Sequence, residues 1–329
     1  MNIIRFWYTN ARPTSLPQSL LPSVLAVCLS VASPAFSWWL AVAAVAGVVA
    51  AHLSLNLFDD YFDYRKNRTD YRDHMAHEGI RARIGKCTYL TSGKATLRQL
   101  RTASICFLLT ALALGAVIFY FRGMVILYIA VTVAVLGISY SAPPLRLSYH
   151  GLGELVIGFI FGPMNMLGTY YAACGEIKGN IILLSVPVGL WVMNIVYVHS
   201  ILDFIPDKKI GKRTFAVLLN RTVAMLAALF LILFSPYAIL TYGILSGNLS
   251  PYYGLLFLTL PMAVSLFYMM VEYVRRPQRQ FTPKWWMGPM NNWKRIRNAG
   301  IDWFMIRWLL ARNLLSAFCL IVIVLNFTV

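Results

Sequence analysis

Two groups of aspartates have the spacing that suits the binding of a hard divalent cation. The first lies in the stretch Asn56-Leu-Phe-Asp59-Asp60-Tyr-Phe-Asp63. In a helix, residues three or four apart share a face, so most of these oxygen-bearing side chains would lie together. Neighbouring carboxylates repel one another unless a cation or protons balance them, and all-oxygen ligands suit Mg2+. We therefore interpret these four residues as candidate metal ligands; the alternative, an acidic helix end in solvent, is disfavoured because negative charge destabilises a helix C-terminus.

The second group is Asp203-Phe-Ile-Pro-Asp207, and basic residues follow it directly. Its two acids would be one turn apart in a helix, although Pro206 makes a regular helix doubtful there. Acids followed by cations suit a metal-bridged polyphosphate, because carboxylates hold the ion while Lys and Arg bind phosphate oxygens. The alternative is an ordinary basic loop, which the presence of the first group makes less attractive. The residues that we expect to carry the chemistry are Asp60, Asp63, Asp203 and Asp207.

The composition indicates which elements must position these side chains. The chain has 329 residues, of which 59% are apolar and 12% charged, and its mean hydropathy is +0.65. A soluble domain carries about 25% charged residues, so this chain has half the usual charge. These values exclude a water-soluble enzyme, a disordered chain and a nucleic-acid module, and they predict an all-α polytopic membrane protein. We attribute the net charge of +17 to membrane orientation and expect no nucleic acid as a partner.

About nine apolar segments are long enough, or nearly long enough, to cross a bilayer. They lie at roughly 17–33, 37–60, 100–120, 123–140, 153–173, 180–203, 222–245, 252–274 and 301–327. The first is short, and three prolines within or beside it frame or kink it. We interpret residues 1–329 as a single integral-membrane domain.

The basic residues between the spans predict the orientation. With the N-terminus in the cytoplasm and the C-terminus outside, every Lys and Arg except Arg122 and Lys178 lies at the cytoplasmic end. All acids except Glu176 lie there too, although acids contribute little to the orientation rule. The predicted cytoplasmic loops are 61–99, 141–152, 204–221 and 275–300. Because the acids crowd one end and avoid the midplane, an enzyme is favoured over the alternative from another class, a secondary transporter.

The two motifs resemble those of the UbiA superfamily of intramembrane aromatic prenyltransferases. That family carries N/D-D-x-x-D after its second helix and D-x-x-D or D-x-x-x-D after its sixth, and Leu202 stands here where the family usually has Arg. The resemblance implies Mg2+-dependent transfer of a polyprenyl group from polyprenyl diphosphate to an aromatic acceptor. It also implies a helical bundle in the bilayer, expected in a bacterial cytoplasmic membrane, with the active site on the cytoplasmic side.

Two further stretches are similar to the 1,4-dihydroxy-2-naphthoate branch of this family, which serves menaquinone synthesis. They are Arg12-Pro13-Thr14-Ser15-Leu16-Pro17 before the first span and Tyr140-Ser141-Ala-Pro-Pro-Leu-Arg146 after the fourth. The branch implies 1,4-dihydroxy-2-naphthoate as the acceptor and a demethylmenaquinone as the product. The acceptors 4-hydroxybenzoate, homogentisate and a glyceryl phosphate lipid stay open, because the sequence does not reveal the acceptor pocket.

The resemblance and the residues together suggest which side chains bind the substrates. Cations would neutralise the diphosphate and pair with the acceptor's carboxylate, and a tyrosine ring would shield the allylic cation. Polar side chains of the sixth span and an outlying acid of the first motif would complete the site, although a basic membrane anchor and intramembrane polar contacts are alternatives. The predicted residues are Lys94, Lys212 and Arg213 for the diphosphate, Arg146 for the carboxylate, Tyr140 for the cation, Asp70 as the outlying acid, and Asn194 and His199 on the sixth span.

Overall fold

The computed structural model describes residues 2–65, 87–277 and 279–328, which are mostly helical. The helices are α1 Ile3–Asn10, α2 Pro17–Ser30, α3 Trp38–Arg65, α4 Thr88–Thr91, α5 Leu97–Arg122, α6 Met124–Ser141, α7 Gly153–Phe159, α8 Asn165–Cys174, α9 Gly179–Leu202, α10 Phe204–Lys209, α11 Phe215–Leu219, α12 Thr222–Leu245, α13 Leu260–Arg275, α14 Trp293–Asn298 and α15 Asp302–Thr328. Tight 3-10 turns lie at Pro13–Ser15, Leu147–Tyr149, Pro251–Thr259 and Trp285–Met287, and a π-helical turn at Ile160–Met164 joins α7 to α8.

Eight segments of the described chain are long and apolar enough to cross a bilayer. They are α3, α5, α6, the joined α7 and α8, α9, α12, α13 with its preceding turn, and α15. The short apolar helix α2, with Pro22 inside it, corresponds to the first of the nine predicted segments, 17–33. Helices satisfy their own backbone groups in lipid, so this architecture confirms the prediction of an all-α integral membrane protein.

At both acidic motifs the helices differ from the sequence prediction, and Asp203 lies between α9 and α10 rather than inside either of them. α3 continues to Arg65, so Asp63 is helical rather than part of the predicted loop 61–99, and the cation of Arg65 in the last turn suits a helix C-terminus. The doubt about a helix at Pro206 is wrong, because α10 places this proline in its first turn. A proline costs little there, since its missing N–H would have had no intrahelical partner.

The fifth span is a broken helix rather than a continuous one. α7 and α8 meet at the π-helical turn, which contains Pro163. The turn packs tightly against α9, since a Cβ on Gly162 would lie only 2.2 Å from the Cα of Gly189. A wider turn and a proline are recognised causes of a helix kink. The break brings α7, which carries Glu154, against the acidic end of α9.

α9 forms the centre of the bundle and packs against α7, α12 and α15. Its Trp191 and Tyr197 are fully buried. The acidic motifs lie at one end of this bundle. At the other end, the guanidinium of Arg122 donates to the carbonyl oxygens of Ala172 and Ala173 at 2.9 and 2.7 Å.

The predicted cytoplasmic loop 275–300 does not lie wholly beyond the helix ends. Its turn Trp285–Met287 returns alongside α13 and α15, where the Trp286 indole donates to the hydroxyl of Ser265 at 3.1 Å. The side-chain amide of Asn313 in α15 donates to the carbonyl oxygens of Met287 and Pro289 at 2.9 and 3.0 Å. These bonds satisfy backbone groups that would otherwise be costly at this depth.

Candidate active site

A cavity of about 210 Å³ lies at the acidic end of the bundle and is lined by parts of both motifs. α3 contributes Asn56 and Asp59, while the end of α9 and the segment after it contribute Asp203, Asp207 and Lys212. Other predicted or newly found residues on its wall are Arg12, Tyr140, Glu154 and His199. Two acidic groups that are more than 140 positions apart in the chain therefore face one space.

Arg12 supplies a cation to the first acidic motif. One nitrogen of its guanidinium lies 3.2 Å from both the Oδ2 of Asp59 and the Oδ1 of Asp60, and donates to the carbonyl oxygen of Asn56 at 2.8 Å. Burial alone would lower the pKa of Arg12, but the charges of Asp60 and Asp59 outweigh it and raise the pKa above its ordinary value. Arg12 is therefore charged at any physiological pH, and it offsets part of the repulsion between the carboxylates.

Three hydroxyl groups orient the carboxylates of the first motif. The Oγ of Ser141 donates to Asp59 at 2.7 Å, and the phenol of Tyr89 donates to Asp60 at 3.1 Å. Burial, followed by the charge of Asp60, raises the pKa of Tyr89 well above its ordinary value, so this phenol stays a neutral donor. The phenol of Tyr149 donates to Asp63 at 2.8 Å. Each acid thus has at least one fixed hydrogen bond that sets its orientation.

The second motif is held by its own local contacts. The Nε2 of His199 lies 3.2 Å from the Oδ2 of Asp203, one helical turn along the chain. The backbone N–H of Asp207 donates to the carbonyl oxygen of Asp203 at 2.9 Å, and that of Lys212 donates to the carbonyl oxygen of Asp207 at 2.8 Å. The Nζ of Lys212 lies 5.7 Å from the centroid of the Tyr149 ring. Since Tyr149 also binds Asp63, this tyrosine connects the two motifs.

Glu154 fixes the chain that follows the second motif. Its side chain is buried and accepts hydrogen bonds from the Oγ of Ser200 at 2.6 Å and the backbone N–H of Phe215 at 3.1 Å. It thereby joins α7, α9 and the start of α11. A buried carboxylate is costly unless hydrogen-bonded, and both donors meet that need. Glu154 therefore positions the cationic segment around Lys212.

Several predicted substrate-binding residues lie away from the cavity. Lys94 is exposed, and Asn194 is fully buried with no hydrogen-bond partner among the described side chains and backbone. Arg146 and Arg213 line a separate surface pocket together with Tyr149. Asp70 lies outside the described residues. The roles of these five residues therefore stay predictions.

An apolar channel of about 220 Å³ adjoins the polar cavity. α3, α5, α6 and the α7–α8 helix enclose it. His52, Leu55, Ile160 and Phe161 line both spaces, so the polar cavity and the channel meet at these residues. The His52 ring also receives or donates hydrogen bonds with the hydroxyls of α2 and its preceding turn, which holds it at this junction.

The metal-binding groups of the cavity suit a Mg2+ ion that also binds substrate phosphates. They suit less well an ion that is bound by protein groups alone. Within residues 2–65, 87–277 and 279–328, no three His, Cys, Asp or Glu side chains form a group that could hold a metal alone. Mg2+ usually takes one or two carboxylates and completes its shell with water and substrate phosphates. Carboxylates on two sides of one cavity, with Lys212 and Arg12 beside them, match that requirement.

The model of the UbiA prenyltransferase family matches residues 19–288. The chain belongs to this family. The resemblance drawn from the two motifs is thereby confirmed, and the chain is a prenyltransferase rather than a transporter.

Relatives of this UbiA prenyltransferase are similar over most of the chain. The 1,4-dihydroxy-2-naphthoate octaprenyltransferase of Bacillus subtilis is 27% identical over 255 residues, covering 77% of this chain and 78% of that protein. The enzyme of the same name from Mycobacterium tuberculosis is 28% identical over 222 residues, covering 65% and 70%. A solved UbiA homologue from Archaeoglobus fulgidus, bound to GPP and Mg2+, has a TM-score of 0.59 and 16% identity over 97% of this chain and 99% of that one. At that identity the likeness shows the fold.

Sequence reasoning missed three residues that this UbiA fold places on the aspartates: Arg12, Tyr89 and Tyr149. Arg12 had a signal, since it opens a stretch that resembles the family's first-helix motif, yet nothing in its spacing indicated an ion pair with Asp59 and Asp60. The two tyrosines lie in predicted loops and gave no periodic or motif signal. Their contacts arise only when the loops fold over the end of α3.

Proposed function

We propose that this UbiA prenyltransferase transfers a polyprenyl group from polyprenyl diphosphate to 1,4-dihydroxy-2-naphthoate in a Mg2+-dependent reaction. The observation that carries the proposal is the single cavity that is lined by both aspartate motifs and joins an apolar channel. A diphosphate ester with a long hydrocarbon tail needs both environments, and needs them side by side.

The polar cavity would bind the diphosphate end of the donor. Asp59, Asp203 and Asp207 on the cavity wall would hold Mg2+, together with Asp60 and Asp63 on α3. The bound ion would supply positive charge to the diphosphate oxygens and so stabilise pyrophosphate as the leaving group. Lys212 would add a cation from the protein at the same oxygens.

The apolar channel would bind the isoprenoid tail of the donor. Burying each CH2 group is worth about 0.8 kcal/mol, so the tail favours a channel that opens among membrane helices over water. Its wall carries almost only apolar side chains, such as Leu108, Leu112 and Ile129. The junction at Phe161 would then place the first carbon of the tail beside the polar cavity.

The transfer itself exchanges one bond of the donor for one bond of the acceptor. The bond between the first carbon and the diphosphate oxygen breaks, and pyrophosphate leaves with the electron pair. The electron-rich ring of the acceptor then forms a carbon–carbon bond to the allylic cation. Loss of the acceptor's carboxylate as carbon dioxide restores the aromatic ring and gives the reduced form of a demethylmenaquinone. Tyr140, on the cavity wall, would shield the cation with its ring.

The choice of acceptor is supported by relatives that carry the name 1,4-dihydroxy-2-naphthoate octaprenyltransferase, among them those of Bacillus subtilis and Mycobacterium tuberculosis. The placement in a bacterial cytoplasmic membrane, with the cavity open to the cytoplasm, is supported by the basic residues at the acidic end of the bundle. Both statements belong to the proposal.

A prenyl-transfer assay with the purified protein in lipid membranes tests the proposal. Polyprenyl diphosphate is supplied with a panel of aromatic acceptors, with Mg2+ or with EDTA. We expect a prenylated naphthalene product only with Mg2+, and loss of turnover in Asp60→Asn and Asp203→Asn while both variants stay folded. Glu176→Gln, at the opposite end of the bundle, is the matched control and keeps its activity. Undiminished turnover in EDTA, or in both aspartate variants, would overturn the metal site, and preference for another acceptor would overturn the naphthoate assignment alone.

A further inference from the structure

The segment between α13 and α15 is strongly basic and carries exposed tryptophan. Residues 275–300 contain no Asp or Glu. Their cations are Arg275, Arg276, Arg279, Lys284, Lys294, Arg295 and Arg297. Trp285 is 90% exposed and directly follows Lys284, which is exposed as well. The transferase chemistry uses none of these side chains.

The turn that carries Trp285 is fixed to the bundle rather than loose. Asn313 holds the carbonyl oxygens on both sides of Gly288, and a Cβ on this glycine would meet the Asn313 amide nitrogen at 3.0 Å. Gly288 also has a φ of +78°, a conformation that other residues rarely adopt. Met287 is buried against the core. The exposure of Trp285 is therefore built into the fold.

The turn lies alongside the membrane-spanning part of α13 and α15. Ser265, which binds Trp286, is ten residues before the end of α13, or about 15 Å at the rise of an α-helix. Asn313 is eleven residues after the start of α15, or about 16 Å. The neighbours of Ser265 on the outer surface, Val264 and Tyr268, are exposed apolar and aromatic side chains that face lipid in a bilayer. The turn that carries Trp285 therefore lies beside a lipid-facing surface of α13.

The basic residues lie at the same end of the bundle as the aspartate cavity. The phenol of Tyr273 near the end of α13 donates to the carbonyl oxygen of Leu202 at 3.2 Å. The ring of Phe304 at the start of α15 packs edge-on against His199, with centroids 5.1 Å apart. The basic segment between these two helix ends therefore lies at the cavity end of the bundle, and Lys284 directly precedes Trp285 in it.

We propose that Lys284 and Trp285 bind the headgroup of an anionic phospholipid. Tryptophan favours the boundary between acyl chains and headgroups, and cations beside it attract anionic lipid. The indole lies along the glycerol and upper acyl chain, and the ammonium of Lys284 binds the phosphate. The proposal is independent of the transferase activity, since the site lies outside the cavity and the channel.

Lipid retention by the full chain tests this site. The protein is purified in mild detergent, titrated with phosphatidylglycerol or phosphatidylcholine, and bound lipid is counted by native mass spectrometry. The variants are Lys284→Gln and Trp285→Ala. The matched controls are Lys178→Gln and Trp38→Ala, an exposed lysine and an exposed tryptophan at the opposite end of the bundle.

We expect the wild type to retain phosphatidylglycerol in preference to phosphatidylcholine. Removing one cation near an anionic lipid weakens binding by about fivefold, so Lys284→Gln should show that loss while both controls match the wild type. Trp285→Ala should lose lipid of both kinds at this site. If Trp285→Ala fails to fold, Lys284→Gln decides alone. Equal retention of both lipids by the wild type, unchanged retention in Lys284→Gln, or an equal loss in Lys178→Gln would overturn the proposal.

Discussion

Replacing Arg12 by glutamine removes the cation that contacts two aspartates of the first motif. Each contact is 3.2 Å long, and the side chains of Arg12, Asp59 and Asp60 are 22%, 19% and 3% exposed. At an effective dielectric constant of 20, one such contact corresponds to about 5 kcal/mol of Coulomb energy before desolvation is subtracted. Removal of one partner from a buried ion pair typically costs about 3–5 kcal/mol. Because Arg12 and Asp59 are partly exposed, we expect Arg12→Gln to lose about 3 kcal/mol of unfolding free energy.

The measurement is the free energy of unfolding in mixed micelles with EDTA present, compared with Arg5→Gln. Arg5 is exposed on α1 and serves as the matched control. In a double-mutant cycle, Asp59→Asn should reduce the effect of Arg12→Gln by 1 kcal/mol or more, as expected for residues in direct contact, where coupling is about 0.5–3 kcal/mol. Added Mg2+ should stabilise Arg12→Gln more than the wild type, because the ion then brings positive charge to unbalanced carboxylates. A loss no larger than that of Arg5→Gln, together with zero coupling, would refute the ion-pair reasoning.

Two further substitutions test the positioning of the cationic segment and the tail channel. Glu154→Gln weakens charge-assisted hydrogen bonds worth about 1.5–3 kcal/mol, so the KM for polyprenyl diphosphate should rise about tenfold in steady-state assays, whereas Glu176→Gln should not change it. Gly115 lines the channel, and an added Cβ there meets nothing within 4 Å. Gly115→Leu should therefore fold but favour shorter prenyl diphosphates in product analysis. Gly254→Leu, also in open space but outside the channel, is the control and should keep the wild-type chain length. An unchanged product length in Gly115→Leu would contradict the assignment of the channel to the tail.

The helical membrane fold and the two acidic motifs could be predicted because both depend on local sequence. An apolar run of about 20 residues predicts a membrane helix. Acidic side chains are costly in a bilayer, so their presence there indicates a functional site. The spacing from Asp59 to Asp63 predicts a shared helix face without any tertiary information. The family resemblance therefore depends on the same local features of the sequence.

The partners of those acids could not be predicted, because the contacts join residues far apart in the chain. Tyr149 reaches Asp63 across 86 positions, and Ser200 reaches Glu154 across 46. Such pairs depend on how the loops fold over the ends of α3 and α9, which no periodic pattern records. In the sequence, Lys94 and Arg213 are as suitable for binding a diphosphate as Lys212 is. Of these three residues, only Lys212 lines the cavity.

The position of the turn Trp285–Met287 alongside α13 and α15 could not be predicted from the sequence for a different reason. Composition predicts a basic cytoplasmic loop at 275–300, since charge and proline content are high there. Its position depends on tertiary contacts, among them the Asn313 amide, which donates to two carbonyl oxygens of this segment, and the Trp286 indole, which donates to Ser265. A single asparagine inside an apolar helix indicates a polar contact but not the partner.

The most direct test of the central claim is anomalous diffraction from crystals of the chain grown with Mn2+ and an unreactive polyprenyl thiodiphosphate. The account predicts metal peaks inside the cavity, about 2 Å from carboxylate oxygens of both motifs, with the diphosphate between them. Peaks bound by only one motif, or metal density outside the cavity while the analogue occupies it, would contradict the account.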